Sequence, residues 1–284
     1  MKSFGLHFSR LLFILLLIFG TAFKQDKKIK WVAIGDSITY LNDHPDETKN
    51  RSGEGYLTQV VKELKYLEYV NQGHNGWKSV DIARRIDSIN LVPADVYTIF
   101  LGTNDWWHGV AAGSLADYVN DAGATTVSGA YRKIVNKIRA LNKDAKIIAI
   151  TPLQRNDFVY INNFKNNAYG SYKKKNDQSL EQVANAISAI AAYEKFPVVD
   201  LYHDKDLRME RLVKFKRLKD PASGQYRDYK YPASTNIPFN PETDEYPYPA
   251  EASDMTYDGL HPSGAGNAVI AKRLRMQFET LYGR

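Results

Sequence analysis

Short apolar runs alternate along the chain with longer segments that have helical periodicity. Five of these runs are rich in β-branched or aromatic residues and have the length of interior parallel strands. The predicted strands cover Lys30–Ile34, Tyr69–Val70, Val96–Leu101, Lys146–Ile150 and Pro197–Asp200. Each run stops at a polar or glycine-containing segment, which predicts a loop at that point.

Apolar residues between these runs recur at the three- and four-residue spacing of an amphipathic helix. The predicted helices cover Gly55–Leu67, Val80–Ile89, Gly129–Asn142, Gln178–Lys195 and Ser263–Tyr282. Ser263 is the residue type that caps a helix N-terminus. Strands that alternate with helices of this length predict βαβ units, a parallel sheet and an α/β fold. Right-handed crossovers cover both faces of such a sheet, and its functional site lies at the carboxyl ends of the strands.

The first two dozen residues have the three-part layout of a secretory signal peptide. Lys2 and Arg10 supply positive charge, the run Leu11–Phe19 is apolar, and small residues follow it. We predict cleavage after Ala22, which leaves residues 23–284 as a single exported domain, periplasmic or extracellular. An uncleaved membrane anchor is the alternative. A spanning helix needs about 20 apolar residues, however, and this run supplies nine.

The amino-acid composition excludes several kinds of catalytic and binding site. The chain has no cysteine, which excludes disulfides, a thiolate nucleophile, cysteine-ligated zinc and the lipid anchor of bacterial lipoproteins. The net charge is +6, with lysines and arginines scattered among acidic residues, so we predict a solvated basic surface that does not bind nucleic acid. His44 and His203 stand beside aspartates but lack ligand spacing. We therefore predict no metal and no cofactor.

Two long stretches, 154–177 and 220–257, lack the periodic pattern. The first is rich in Asn, Lys and Tyr, and the second contains six tyrosines and six prolines. Loops of this length are usually functional or disordered. Their aromatic content argues against disorder, because disordered chains are poor in aromatic residues. We predict that both are long loops on one domain, and whether they act as lids stays open.

A candidate nucleophile stands at the end of the first strand, in Gly35-Asp36-Ser37. A serine on a tight turn there is exposed at the carboxyl edge of the sheet. The same three residues are also ordinary turn chemistry with a serine at a helix N-terminus. The Gly-x-Ser-x-Gly elbow of α/β-hydrolases is absent, which disfavours that fold.

A candidate base and its partner lie at the far end of the chain, in Asp258-Gly259-Leu260-His261. A serine nucleophile needs an imidazole to accept its proton, and the imidazole needs a carboxylate to fix its tautomer. On one turn, Asp258 can accept from Nδ1 of His261 and leave Nε2 facing Ser37. A lone Asp-x-x-His is also found as a helix cap beside a surface histidine.

Acyl transfer also needs hydrogen-bond donors aimed at the developing oxyanion. Asn104 follows the third strand, and its side-chain amide is one candidate donor. Gly76 follows the second strand and offers a backbone N–H. A turn asparagine and a left-handed glycine are the alternatives for these two residues. Four modest signals, in order along the chain and at the predicted site edge, favour a serine hydrolase.

In this order, the four segments resemble the four sequence blocks of the SGNH (GDSL) hydrolases. The blocks are Gly35–Ser37, Asn71–Gly76, Gly102–Asp105 and Asp258–His261, and the resemblance spans about residues 30–280. It implies a flavodoxin-like, three-layer α/β/α fold with a five-stranded parallel sheet. Members of the family hydrolyse esters of lipids, sugars and polysaccharides, and sometimes thioesters, generally without a metal.

The resemblance also implies the role of each residue. Ser37 is the nucleophile, His261 the base and Asp258 the group that orients the base. The oxyanion hole is formed by the Ser37 N–H, the Gly76 N–H and the Asn104 side chain. The second block departs from the family pattern, because His74-Asn75 replace an apolar residue and a serine. This change alters the expected pocket wall and leaves Gly76 in place.

The substrate is predicted from the aromatic residues around these segments. Trp77, Trp106 and Trp107 directly follow two oxyanion segments, so we expect them near the pocket mouth, with Asp36 and Asp105 as further candidate substrate-binding residues. Aromatic side chains there stack on sugar rings or simply pack beneath loops. Together with the family analogy, they favour an exported esterase that removes small acyl groups, such as acetyl, from carbohydrate. Such an enzyme would bind a small-molecule or oligosaccharide ester and would not stay inserted in a membrane.

Three alternatives remain at this stage. A lipid esterase or lysophospholipase would use the same serine on longer acyl chains. An acyltransferase would prefer an alcohol acceptor over water. A non-catalytic glycan-binding module would keep the aromatic residues and lack a reactive serine. The oligomeric state stays open.

Overall fold

The computed structural model describes residues 27–283, so the predicted signal segment at residues 1–22 lies outside the described residues. The strands are β1 (Ile29–Gly35), β2 (Leu67–Gly73), β3 (Val96–Phe100), β4 (Lys146–Ile150), β5 (Phe158–Val159), β6 (Asn167–Ala168), β7 (Val198–Val199), β8 (Lys216–Lys219) and β9 (Tyr226–Tyr229). Five of them form a parallel sheet in the order β2-β1-β3-β4-β7. This is the flavodoxin-like order, and the predicted fold class is confirmed.

Helices cover both faces of this sheet. The α-helices are α1 (Ser37–Tyr40), α2 (Tyr56–Glu63), α3 (Ser79–Arg84), α4 (Thr103–Trp107), α5 (Leu115–Val119), α6 (Val127–Leu141), α7 (Leu180–Glu194), α8 (Met209–Leu212) and α9 (Gly264–Tyr282). Short 3-10 helices cover Leu41–Asp43, Pro45–Thr48, Lys205–Leu207, Ala233–Asn236 and Ala250–Ala252. None of the helices among residues 27–283 is long and apolar enough to cross a membrane.

The two cores lie on opposite faces of the sheet because successive strand side chains alternate in direction. In β1, Val32 and Ile34 pack into one core with α3, α5, α6 and α7. Trp31 and Ala33 pack into the other core with α2 and α9. All four of these side chains are fully buried. A strand buried on both faces explains why its sequence is a continuous apolar run.

Two predicted helices end earlier than their apolar spacing indicated. The helix predicted to reach Leu67 ends at Glu63, because Leu67 pairs with Ile29 and begins β2. The helix predicted to reach Ile89 ends at Arg84. There the Arg85 N–H is shared between the carbonyls of Asp81 and Ile82, so the last turn tightens and stops the helix.

The two long stretches are more regular than predicted. Stretch 154–177 contains the antiparallel pair β5–β6, in which Phe158 pairs with Ala168. Stretch 220–257 begins inside the hairpin β8–β9 and then contains two of the 3-10 helices. Both stretches lie on the carboxyl side of the sheet. Tyr248, from the second, donates its hydroxyl hydrogen to the carbonyl of Asp157, in the first.

Candidate active site

Ser37 is the first residue of α1, directly beyond the end of β1. Asp36 caps this helix, because its carboxylate accepts a hydrogen bond from the Ile38 N–H at 3.0 Å. Burial raises the pKa of Asp36 to about 6, although the Ile38 N–H opposes the rise. The Asp36 side chain is therefore an interior cap that holds the turn under Ser37. The structure does not place it as a substrate contact, in contrast to the expectation from sequence.

Ser37, His261 and Asp258 are brought together by the fold. His261 Nε2 lies 2.8 Å from Ser37 Oγ, and His261 Nδ1 lies 2.7 Å from Asp258 Oδ2. The second carboxylate oxygen, Oδ1, accepts hydrogen bonds from the backbone N–H groups of Leu260 and His261, at 3.0 and 2.7 Å. Asp258 is fully buried, and these contacts on both of its oxygens fix the orientation of its carboxylate. This arrangement holds Nε2 as the acceptor for the serine proton.

The turn that carries Asp258 and His261 depends on a glycine between them. Gly259 has φ +89°, and a Cβ at this position would lie 2.0 Å from the carbonyl oxygen of Asp157. Its own carbonyl accepts a hydrogen bond of 2.8 Å from the Asn156 N–H. The segment after β4 therefore supports the turn through backbone contacts that only glycine permits.

Two aromatic rings enclose the imidazole. The Phe158 ring meets the His261 ring edge-on at 5.4 Å, and the Tyr257 ring lies nearly parallel to it at 6.0 Å. The two rings limit the rotation of the base. Phe158 and Tyr257 belong to the two long stretches that sequence analysis left without a defined role.

Candidate oxyanion donors lie beyond the two strands that flank β1. In the parallel register, Gly35 pairs with Gly73 of β2 and with Phe100 of β3, so the ends of three strands are adjacent. Asn104 lies in α4, and its side-chain Nδ2 donates one hydrogen to the Trp77 carbonyl at 3.1 Å. An amide NH₂ group has two hydrogens, so the second one can serve the oxyanion. Gly76 has φ +75°, and a Cβ at this position would meet no atom within 4 Å, so that side of its backbone is open.

We predict that Asn104→Ala lowers kcat for ester hydrolysis by about 10²–10³-fold, because it removes one donor to the developing oxyanion. Steady-state kinetics on p-nitrophenyl acetate measure the effect. Asn75→Ala is the matched control, because Asn75 lines the same cavity without an assigned role. An Asn104→Ala enzyme with a kcat within threefold of the wild type would contradict the assignment.

A cavity of about 280 Å³ lies over Ser37 and His261. Two residues predicted as oxyanion donors, Gly76 and Asn104, also line it, and so does Trp107. The remaining lining residues are Leu41, Glu47, Asn75, His108, Arg155, Phe158, Tyr160, Asn166, Ala168, Tyr257 and Leu260. Five of them come from stretch 154–177, which therefore forms one wall of the cavity.

Three of the predicted substrate-binding residues lie elsewhere. Trp106 is fully buried and its indole N–H donates to the Gln178 carbonyl at 2.9 Å, so it belongs to the core and not to the pocket mouth. Asp105 is also fully buried and accepts hydrogen bonds from the Ser79 N–H and hydroxyl, at 2.8 and 2.7 Å. Trp77 packs against the core and stacks on His74 at 4.2 Å, and it reaches the site only through its carbonyl.

Two histidines outside the cavity, His203 and His44, have hydrogen-bond partners of their own. His203 Nδ1 lies 2.8 Å from Asp200, and His44 Nδ1 lies 2.9 Å from the Tyr40 carbonyl. Within residues 27–283, no group of three or more histidine and acidic side chains is arranged to hold a metal ion.

Comparison with known proteins shows the family to which the chain is similar. The sequence profile of the GDSL-like lipase/acylhydrolase family matches residues 33–269. A crystal structure described as a possible lipase from Chitinophaga pinensis is 61% identical, with a TM-score of 0.89, and the match covers 89% of this chain and 99% of that chain. A search of the curated proteins found no match.

Two more distant structures share the fold alone. A protein from Lactobacillus plantarum is 18% identical, with a TM-score of 0.58 over 90% of this chain and 98% of its own. An acetyl-xylooligosaccharide esterase from Geobacillus stearothermophilus, solved as a mutant, is 19% identical, with a TM-score of 0.51 over 87% of this chain and 93% of its own.

Proposed function

The chain belongs to the GDSL-like lipase/acylhydrolase family, and we propose that it hydrolyses carboxylic esters through an acyl-enzyme on Ser37. The observation that carries this proposal is the 2.8 Å contact between Ser37 Oγ and His261 Nε2, in an imidazole oriented by Asp258. Nucleophile, base and orienting carboxylate thus form a continuous chain of hydrogen-bond contacts.

Each step of the reaction has a group in the site. His261 takes the hydroxyl proton as Ser37 Oγ attacks the ester carbonyl carbon. The tetrahedral oxyanion receives hydrogen bonds from the Asn104 amide and from the backbone N–H groups of Gly76 and Ser37. His261 then gives its proton to the leaving alcohol, and the ester bond breaks to leave an acyl-serine. Water, deprotonated by His261, attacks this acyl-enzyme and releases the acid.

The size and lining of the cavity favour a small acyl group on a carbohydrate. A volume of about 280 Å³ lies just below the usual range of ligand pockets, about 300–1,000 Å³. This volume suits an acetyl group with part of a sugar better than a long acyl chain. Trp107 and Tyr160 are partly exposed and line the cavity, and aromatic faces are suited to stacking on sugar rings.

Export is part of the proposal. The N-terminal residues have the charge and apolar pattern of a signal peptide, and the chain has no cysteine for lipid attachment. An exported esterase would meet acylated glycans outside the cytoplasm, as a single domain made of residues 23–284.

We expect kcat/KM on p-nitrophenyl esters to fall at least about tenfold from acetate to octanoate, because added methylenes overfill a small pocket. A chain-length series from two to eight carbons measures the trend. A panel of acetylated oligosaccharides, measured in parallel by acetate release, tests the carbohydrate part. A maximum at octanoate with no acetate release from sugars would instead identify a lipid esterase.

A further inference from the structure

Arg155 is a buried cation with unpartnered N–H groups beside the candidate active site. Its side chain is 1% exposed. Nε and Nη2 are buried and bond to no group among residues 27–283, and no carboxylate there lies within ion-pair distance of the guanidinium. A buried donor without an acceptor destabilises the fold, and more so when it is charged. Nη1 is not among these buried atoms and has no hydrogen bond among the described residues, so it is the guanidinium nitrogen that a ligand in the cavity reaches first.

The protein holds this guanidinium in place from two sides. The backbone of Arg155 is fixed by Ser171, whose hydroxyl accepts from the Arg155 N–H at 3.0 Å and whose N–H donates to the Arg155 carbonyl at 2.8 Å. The guanidinium carbon lies 5.4 Å from the Trp106 ring and 5.1 Å from the Trp107 ring. Ring faces attract the charge but do not accept the in-plane N–H groups of an arginine.

The two carboxylates that act electrostatically on Arg155 already have other hydrogen-bond partners. Asp157 accepts from the Gly170 N–H at 2.8 Å and the Tyr172 hydroxyl at 2.6 Å, and it also pairs with Lys216. Asp258 is held by His261 and its backbone neighbours. Both carboxylates oppose the lowering of the Arg155 pKa by burial, but neither lies within ion-pair distance of the guanidinium.

Arg155 lines the same cavity as Ser37 and His261. Lys175 Nζ lies 4.5 Å from the Trp107 ring, so two cations flank this indole. Burial lowers the pKa of Arg155 to about 10, which leaves it charged at neutral pH. Burial, with Lys78, Lys175 and Arg155 nearby, lowers the pKa of His108, although Asp81 opposes this shift.

Glu47 is the acidic residue that lines the cavity, and one of its carboxylate oxygens has a partner on the protein. Its carboxylate accepts a hydrogen bond of 2.8 Å from the Tyr40 hydroxyl. Among the residues that line the cavity, Arg155 is therefore a buried cation without an ion-pair partner.

We propose that Arg155 binds a carboxylate carried by the ester substrate, so that the enzyme selects acidic esters over neutral ones. This inference rests on the proposed ester hydrolysis and adds the charge of the substrate to it. The carboxylate belongs either to the acyl group, as in a dicarboxylic half-ester, or to the alcohol, as in an acylated uronic acid. Both sources present the same planar pair of oxygens, which matches the fork of a guanidinium.

Matched pairs of esters test the inference on the intact protein. Mono-p-nitrophenyl glutarate against p-nitrophenyl valerate tests the acyl side. An O-acetylated methyl glucuronoside against the O-acetylated methyl glucoside tests the alcohol side. In one of the two arms we expect kcat/KM to be about 10- to 100-fold higher for the anionic ester, as a charge-assisted pair provides. Equal kcat/KM within both pairs would overturn the inference, while hydrolysis of the neutral esters would still support the proposed function.

Variants assign the preference to this residue. Arg155→Met keeps the apolar stem and removes the charge, so the anionic-to-neutral ratio should fall to about 1. Arg155→Lys keeps the charge without the fork and should retain part of the ratio. Arg84→Met is the matched control, because Arg84 is exposed on α3 and does not line the cavity, and it should keep the full ratio.

The remaining outcomes are also decisive. An Arg155→Met enzyme that melts like the wild type and keeps the anionic preference would overturn the role of Arg155. If Arg155→Met does not fold, the inference is still tested by comparing the anionic-to-neutral kcat/KM ratio of the wild type with that of Arg155→Lys. If the enzyme hydrolyses none of the four esters, the proposed function itself is refuted, and the inference falls with it.

Discussion

Replacing Ser37 with alanine is expected to lower kcat on p-nitrophenyl acetate by roughly 10⁴-fold or more, because the acyl-enzyme route is lost while the oxyanion donors and binding remain. Stability should change little. The substitution removes the contact between Ser37 Oγ and His261 but leaves the Asp36 side chain in place as the cap of α1. Steady-state kinetics and a thermal melt on the same preparation measure both effects.

The matched control for this change is Ser88→Ala. Ser88 is exposed and donates to the Arg85 carbonyl, away from the cavity, so its loss should leave kcat unchanged. A fluorophosphonate probe should label the wild type and Ser88→Ala but not Ser37→Ala. Equal rates for Ser37→Ala and wild type would refute the acyl-enzyme, and absence of labelling on the wild type would favour the glycan-binding module.

The position of the candidate site followed from one rule about parallel sheets. Apolar runs placed the strands, and the polar residues that follow them were expected at one edge of the sheet. The register brings the ends of β1, β2 and β3 side by side, and so brings together Ser37, Gly76 and Asn104. His261 is distant in sequence, and its pairing with Ser37 was predicted from the need of a serine nucleophile for a base, which the family resemblance then supported.

The roles of neighbouring side chains did not follow from sequence position. Trp106 and Trp107 are adjacent in the chain, yet one is fully buried and the other lines the cavity. On a helix, successive side chains point about 100° apart, so only the rotation of α4 decides which of the two is exposed. Asp36 and Asp105 look like polar site residues, but each accepts hydrogen bonds from a neighbouring backbone N–H inside the fold.

The residues missed by sequence reasoning come mainly from stretch 154–177. Arg155 follows β4 by a few residues, and the rule that identified Ser37 and Asn104 applies equally to this strand end. Its segment lacks the periodicity of a helix or strand, so the sequence predicts only a long loop there. Its position was predictable, but its burial was not, because that depends on Ser171, Trp106 and Trp107, which approach it from other parts of the chain.

Asp258→Asn is expected to lower kcat by roughly 10⁴-fold, through the wrong tautomer of His261 and not through a displaced ring. Oδ1 of Asp258 accepts two backbone N–H groups, so the carbonyl oxygen of an asparagine would take that position. Its NH₂ group would then face His261 Nδ1, which must become an acceptor, and the ring proton would move to Nε2. A protonated Nε2 of a neutral imidazole cannot accept the proton of Ser37.

The control for this change is Asp228→Asn, in an exposed ion pair with Arg217 on the β8–β9 hairpin, for which kcat should stay near the wild-type value. Asp258 is fully buried, so its substitution could also destabilise the fold. A thermal melt measured beside the kinetics on p-nitrophenyl acetate separates unfolding from a tautomer effect. A folded Asp258→Asn enzyme with kcat within tenfold of the wild type would mean that the carboxylate does not set the proton position on His261. The base would then have to be oriented by Phe158 and Tyr257 alone, the two rings that enclose it.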